Sequence, residues 1–216
     1  MIRSLINIVT ALCAALLIFA LAKPTKVDLP KEWAKHVVPF RVSIMNNARH
    51  ATGFHLSYQG KTFIVTNRHV CDFNIKVFKH RNIQFGDFMA KIIAIDTLHD
   101  LCLVTSNRNE GLTLAKTQSK PLDKITLIGF PRGLGKTIRE GRVMGDYPIF
   151  APWLDNRNVE AFQISAIGYG GNSGSPILNE EGNVTGVLFA GHRYFHTEAY
   201  IVPLSYLKVF LALHAK

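Results

Sequence analysis

The chain has 216 residues, 48% of them hydrophobic and 19% charged, which is enough apolar material for a buried core and excludes a disordered or low-complexity protein. The formal charge is +10 at pH 7, yet the basic residues are scattered, with only a modest concentration at Arg132, Lys136, Arg139 and Arg142. No nucleic-acid motif accompanies them, so the charge reads as a solvated surface that favours proximity to a membrane.

Met1 to Arg3 is a short basic start, and Leu5 to Leu21 is apolar apart from Asn7 and Thr10, closing on Ala20-Leu21-Ala22. Residues 1–22 therefore read as a signal peptide cleaved after Ala22 or as a retained membrane anchor. Both place the rest of the chain outside the cytoplasm, secreted, periplasmic or anchored and facing outward. Residues 23–35 are polar, contain two prolines and read as a linker. Short apolar or alternating runs follow, and period two predicts strands at His36–Ile44, Ala51–Tyr58, Thr62–Thr66, Ile75–Phe78, Phe88–Ile95 and Leu101–Thr105. Ser106–Pro121 is a polar connection. A second set is predicted at Ile125–Phe130, Thr137–Met144, Val159–Ser165, Gly182–Phe189 and Ala199–Val202. One helix is expected, Ser205–His214, with Ser205 as N-cap and Leu207, Phe210 and Leu211 on its apolar face. Two groups of short strands and a terminal helix predict paired barrels, one over about 36–110 and one over about 120–204, followed by the helix at 205–214.

Three segments carry groups suited to nucleophilic catalysis. Ser173 lies in Gly170-Gly171-Asn172-Ser173-Gly174-Ser175-Pro176, where glycines let backbone N–H groups converge in a tight concavity. The N–H groups of Gly171 and Ser173 are the expected oxyanion donors. His69 follows the apolar run Ile64-Val65-Thr66, and Asp100 precedes Leu101-Cys102-Leu103. A hydroxyl, a base for its proton and a carboxylate to orient the base make up the machinery of serine hydrolysis. The order His, Asp, Ser puts the first two members in the first barrel and the serine in the second, with the site in the cleft between them. Asp96 flanks the same turn as Asp100 and competes for its role.

Here a resemblance becomes specific. TNRHV at 66–70 looks like the histidine motif of bacterial trypsin-like proteases, and HDLCLV at 99–104 resembles their aspartate motif. GNSGSP at 171–176 resembles the serine motif, especially that of secreted glutamyl endopeptidases, and IGFPRGLG at 128–135 with Gly141 looks like the HtrA-type protease domain. The similarity runs from about Val38 to Leu211. It implies an all-β, chymotrypsin-like fold of two six-stranded antiparallel barrels with a C-terminal helix, acting on protein or peptide substrates. No cofactor, metal or nucleic acid is called for. The chain is expected to work without the peptide-binding PDZ domain that HtrA enzymes usually carry. Glutamyl endopeptidases bind the substrate carboxylate with a histidine where Leu188 stands here, so glutamate specificity is not implied. Zymogen-type relatives carry an aspartate before the nucleophile that pairs with a newly cut N-terminus; Asn172 lacks the charge for that pairing, which predicts activity without activation cleavage.

The specificity pocket is expected to be lined by Ile167, Gly168, Leu188, Phe189 and Ala190, none of them charged, which predicts an aliphatic or aromatic residue before the cut bond. Cys13 falls in the leader. Cys71 and Cys102 each lie two residues beyond a candidate catalytic residue and read as buried free thiols, with a disulfide as the alternative for an exported chain. His99 reads as a loop residue, and His192 and His196 have metal-ligand spacing only on a helix, which Gly191 opposes. Asn183-Val184-Thr185 matches a glycosylation sequon but reads first as part of a β-turn. A protease-fold binding module and a hydrolase of other acyl substrates are the competing function classes.

Overall fold

The computed structural model describes residues 29–44, 47–151, 155, 157–192 and 197–216, so the expected leader, residues 1–22, lies outside the described residues. Among those described, no helix is long and apolar enough to cross a membrane. The first closed barrel contains β1 (Val37–Ile44), β2 (Asn47–Tyr58), β3 (Lys61–Thr66), β4 (Asn82–Phe85), β5 (Phe88–Asp96) and β6 (Leu101–Thr105), in the order 1-2-3-6-5-4. The second contains β7 (Lys124–Gly129), β8 (Thr137–Asp146), β11 (Phe162–Ile164), β12 (Pro176–Leu178), β13 (Val184–Gly191) and β14 (Ala199–Pro203), in the same cyclic order. A separate ribbon pairs β9 (Ile149–Ala151) with β10 (Arg157–Val159). The expected chymotrypsin-like pair of six-stranded antiparallel barrels is the observed architecture.

β3 and β6 are apolar on both faces because they serve two cores, whereas β4 and β5 alternate buried and exposed positions. Ile64, Cys102 and Val104 point into the interior of the first barrel with Phe40, Phe85 and Ile92. Their sequence neighbours Phe63, Val65, Leu101 and Leu103 point the other way, into a seam core shared with Ile128, Val187, Phe189 and Val202 of the second barrel. Period-two geometry thus turns a continuous apolar run into two faces serving two cores.

Several expected elements differ. Ile75–Phe78 is not a strand but the last turn of α2 (Arg68–Phe78), whose buried residues Val70, Cys71 and Asn74 follow the helical period. The linker is ordered at its end as α1 (Leu29–Ala34), with Trp33 packed on Gly182, where a side chain on residue 182 would collide with the indole. Val159–Ser165 divides between β10 and β11, which serve different sheets. The terminal helix α3 (Leu204–His214) begins one residue early, and its N-cap is Pro203 rather than Ser205. The side chain of Gln118, from the inter-barrel connection, accepts the first helical N–H, that of Leu204, at 2.7 Å.

Cys71 and Cys102 form a disulfide, correcting the free-thiol expectation. The first turn of α2 covers the end of the barrel just where Cys102 faces inward, bringing the Cα atoms to 6.5 Å. The bridge closes a separation of 31 residues, for which loop entropy assigns about 3–4 kcal/mol. Cys71→Ala/Cys102→Ala should therefore unfold at a markedly lower urea midpoint, with a slope that is steeper because the unlinked unfolded chain exposes more surface.

His55, 2% exposed, donates to or accepts from the Ser106 hydroxyl at 2.8 Å. Burial, reinforced by the charges of Arg108 and His36, lowers its pKa from 6.5 to about 4. His36 is shifted in the same direction, again chiefly by burial. The unfolded chain thus binds more protons than the folded one between pH 6.5 and 4, so this stability is complete above 6.5 and is lost as pH falls toward 4. Urea midpoints measured from pH 7.5 to 4.5 should decline across that window, and less steeply in His55→Gln.

Candidate active site

β3 ends at Thr66, and the chain turns directly into α2, placing His69 in the first helical turn. The usual N-cap side-chain bond is absent at Asn67. Its amide instead donates to the Asp100 carbonyl at 2.9 Å, as the Arg68 N–H does at 3.1 Å. The Asp100 carboxylate takes the capping role from the turn before β6, the strand paired with β3: Oδ1 accepts the His69 N–H at 2.9 Å, and Oδ2 lies 2.7 Å from His69 Nδ1. Asp100 is wholly buried, and a buried carboxylate without such donors would be strongly disfavoured. With Oδ2 accepting, Nδ1 carries the imidazole proton and the Nε2 lone pair is left for a substrate-side proton.

Asp100 has φ 56°, a left-handed conformation tolerated by aspartate, which ends the Thr97–Asp100 turn and swings the carboxylate back toward α2. Asp96 holds that turn together. Its carboxylate accepts the N–H groups of Leu98 and His99 and lies 2.8 Å from His99 Nδ1. The two carboxylates therefore have separate partners, His69 for Asp100 and His99 for Asp96. Arg68 braces the same turn, donating to the Thr97 carbonyl, Asp72 and Asp155.

Ser173 stands in a loop whose positive φ angles fall on glycine, 98° at Gly171 and 84° at Gly174. A β-carbon on Gly171 would lie 2.4 Å from the Phe130 carbonyl oxygen, and one on Gly174 2.1 Å from that of Thr52. The loop is tied to β13 by Gly174 N–H to Leu188 C=O at 2.8 Å and Leu188 N–H to Ser175 C=O at 2.9 Å. Arg132 donates its N–H to the Gly170 carbonyl at 2.6 Å, which turns the Gly171 N–H the opposite way. The Arg132 guanidinium lies 4.6 Å from the Tyr169 ring centroid.

His69 and Ser173 line one cleft of about 280 Å³ together with Gly168, Tyr169, Gly170, Leu188, Phe189, Ala190 and Gly191. Four of the five expected pocket residues are among its walls. Ile167 is not: its carbonyl is turned to accept the Asn172 side-chain amide at 3.1 Å. Tyr169, Gly170 and Gly191 also line the cleft; they lie in the two segments expected from the sequence, the residues ahead of the serine and the strand Val187–Gly191, but were not singled out. Gly168 and Gly191 approach so closely that a β-carbon on Gly168 would meet the Gly191 Cα at 2.6 Å, which narrows the cleft between its two walls. Glycine in both facing segments was the available signal.

His192 is not part of the cleft wall; its ring lies beside Tyr200. His196 falls outside the described residues. Among those described, no cluster of three or more metal-ligating side chains occurs. In the sequon, Asn183 donates to Glu181 and accepts from Thr113, while Thr185 is fully buried and bonded to Ser119. The Asn179 side chain accepts the N–H groups of Glu181 and Asn183, forming the expected turn.

The fold is similar to that of the Rv3671c protease of M. tuberculosis in its active form, with a TM-score of 0.69 and 20% identity over 86% of this chain and 83% of that one. A serine endoprotease from Yersinia pestis matches with a TM-score of 0.67 and 20% identity over 88% of this chain and 66% of its own. An HtrA-type protease solved with a tripeptide gives 0.65 and 18%, over 85% and 60%. At these identities the likeness concerns the fold. The sequence profile of the trypsin-like peptidase domain matches residues 51–187, a span that holds His69, Asp100, Ser173 and the glycine loop. The chain belongs to the trypsin-like peptidase domain family and is a serine endopeptidase.

Proposed function

We propose that the chain hydrolyses peptide bonds through a triad of Ser173, His69 and Asp100 and an acyl-enzyme intermediate. Ser173 Oγ attacks the scissile carbonyl carbon while His69 Nε2 takes its proton. Asp100 keeps the ring in the productive tautomer and stabilises the imidazolium. The negative oxygen of the tetrahedral intermediate is received by the N–H groups of Gly171 and Ser173. His69 then returns the proton to the departing amine, and water repeats the sequence to free the acyl group. The observation that carries this reading is the two-point contact of the buried Asp100 carboxylate on His69, at the rim of the cleft that also holds Ser173.

The same reading holds that no activation cleavage is needed. Asn172 donates its side-chain amide to the Ile167 carbonyl and its N–H to the Tyr169 carbonyl, so the nucleophile loop is closed by its own residues. The site is proposed to work outside the cytoplasm, delivered or held there by residues 1–22. The buried disulfide beside His69 and Asp100 supports an oxidising compartment.

Ser173→Ala should leave a folded protein whose cleavage of unfolded casein is slower by at least ~10³-fold, since the attacking oxygen is gone. Activity close to the parent's would end the assignment. No aspartate, glutamate, lysine or arginine is among the residues that line the cleft to meet an ionic substrate side chain. Burying an unpaired charge costs several kcal/mol, whereas each buried methylene gains about 0.8 kcal/mol. A peptide-library profile should therefore rank valine, leucine or phenylalanine before the cut bond above lysine, arginine and glutamate.

A further inference from the structure

The two barrels meet at Thr52, a fully buried residue of β2. The pairing of β2 with β3 stops at Phe54 opposite Val65, which leaves the backbone of Thr52 open on that side. The opening is filled by the nucleophile loop of the second barrel and by the last residue of β3. Thr52 N–H donates to the Ser173 carbonyl at 2.8 Å, and the Thr66 hydroxyl donates to the Thr52 carbonyl at 2.7 Å. The Thr52 hydroxyl donates to the Gly171 carbonyl at 2.8 Å and accepts the Phe130 N–H at 3.1 Å. One residue of the first barrel thus grips the carbonyls of both Gly171 and Ser173.

Every carbonyl from Gly170 to Ser173 is engaged: by Arg132 N–H, the Thr52 hydroxyl, Ser175 N–H and Thr52 N–H in turn. The N–H groups of Asn172 and Gly174 are used as well, by Tyr169 and Leu188. Because a peptide unit is planar, fixing a carbonyl fixes the direction of the following N–H. By that rule the Gly170 and Asn172 carbonyls, held by Arg132 and Ser175, aim the Gly171 and Ser173 N–H groups, while the Gly171 and Ser173 carbonyls fix the peptide plane that follows each donor residue, so each donor residue has an anchor on either side, four anchors in all. Two of the four come from Thr52.

We propose that Thr52 is a positioning residue for the oxyanion donors, acting through Gly171 and Ser173. It transmits the docking of the barrels to the nucleophile loop, so that the loop takes its working shape only when the seam is closed. The proposal rests on the protease reading given above. Nothing in the local sequence Ala51-Thr52-Gly53 marks this role, because its partners lie 119 and 121 residues away along the chain.

Thr52→Val keeps the shape and removes the hydroxyl; Thr52→Ser keeps the hydroxyl and removes the methyl. Loss of a whole oxyanion donor lowers kcat by about 10²–10³, so loss of one anchor of the donors should lower kcat by roughly 10- to 100-fold in Thr52→Val, with KM within about threefold. Thr52→Ser should restore kcat to within about threefold of the parent. A residue that merely stabilises the seam would lower the melting temperature of Thr52→Val yet leave kcat of the folded enzyme intact. Hydrogen exchange in the Ser173→Ala background reads the loop without turnover: Thr52→Val should speed exchange across Gly170–Gly174 by about tenfold or more, and Thr52→Ser should not. The proposal is overturned if kcat of folded Thr52→Val stays within about threefold of the parent, if Thr52→Ser is as impaired as Thr52→Val, or if loop exchange is unaltered. A parent enzyme that cleaves no peptide would defeat the protease reading instead, and the exchange measurement would still decide the role of Thr52.

Discussion

The buried carboxylate of Asp100 is the constraint around which the first barrel is organised. A fully enclosed charge is tolerated only where donors reach it, and here they come from the start of α2, 31 residues back along the chain. Meeting that demand fixes three things together. The helix must begin beside the Thr97–Asp100 turn, the turn must pass through a left-handed residue, and His69 must present one ring nitrogen to the carboxylate. The disulfide two residues beyond each partner joins the same two segments covalently. The orientation of the imidazole is thus a by-product of burying the aspartate.

The second organising element is the seam. Phe63, Val65, Leu101 and Leu103 belong to the first barrel by hydrogen bonding and to the shared core by packing. Neither barrel alone can cover them, so docking is driven by the same apolar burial that closes each barrel. The polar contacts of Thr52 with Phe130, Gly171 and Ser173 lie at the edge of this apolar surface and give docking a definite register. The loop that carries Ser173, which contains no regular structure of its own, takes its shape from that edge.

The walls of the cleft follow from the same arrangement. Leu188 and Phe189 are nearly fully buried, one in the interior of the second barrel and the other in the seam. They form the cleft wall while their side chains support it from behind. Gly168 and Gly191 close the gap between the two facing segments. The resulting environment is apolar because the strand that forms it must serve two cores, and His69 and Ser173 stand at its rim.

Much of this was legible in the sequence. Period-two runs marked both sets of strands, the turn residues divided them, and the glycines around Ser173 and the context of His69 and Asp100 marked the candidate site. What was legible is what depends on neighbouring residues. The short strands Asn82–Phe85 and Pro176–Leu178 escaped notice because three or four residues carry little period of their own. Ile75–Phe78 was misread because four residues of a helix end, alternating in polarity, look like a strand until α2 is seen packed on the barrel. The pairing of Cys71 with Cys102, the capping of α3 by Gln118 and the displacement of Ile167 from the cleft depend on segments brought together only by folding. So does Thr52: the sequence by itself determined which residues are candidates for the chemistry, whereas the closing of one barrel against the other decided what holds the loop of Ser173 in place, because the bonds from Thr52 to Gly171 and Ser173 join residues more than a hundred positions apart.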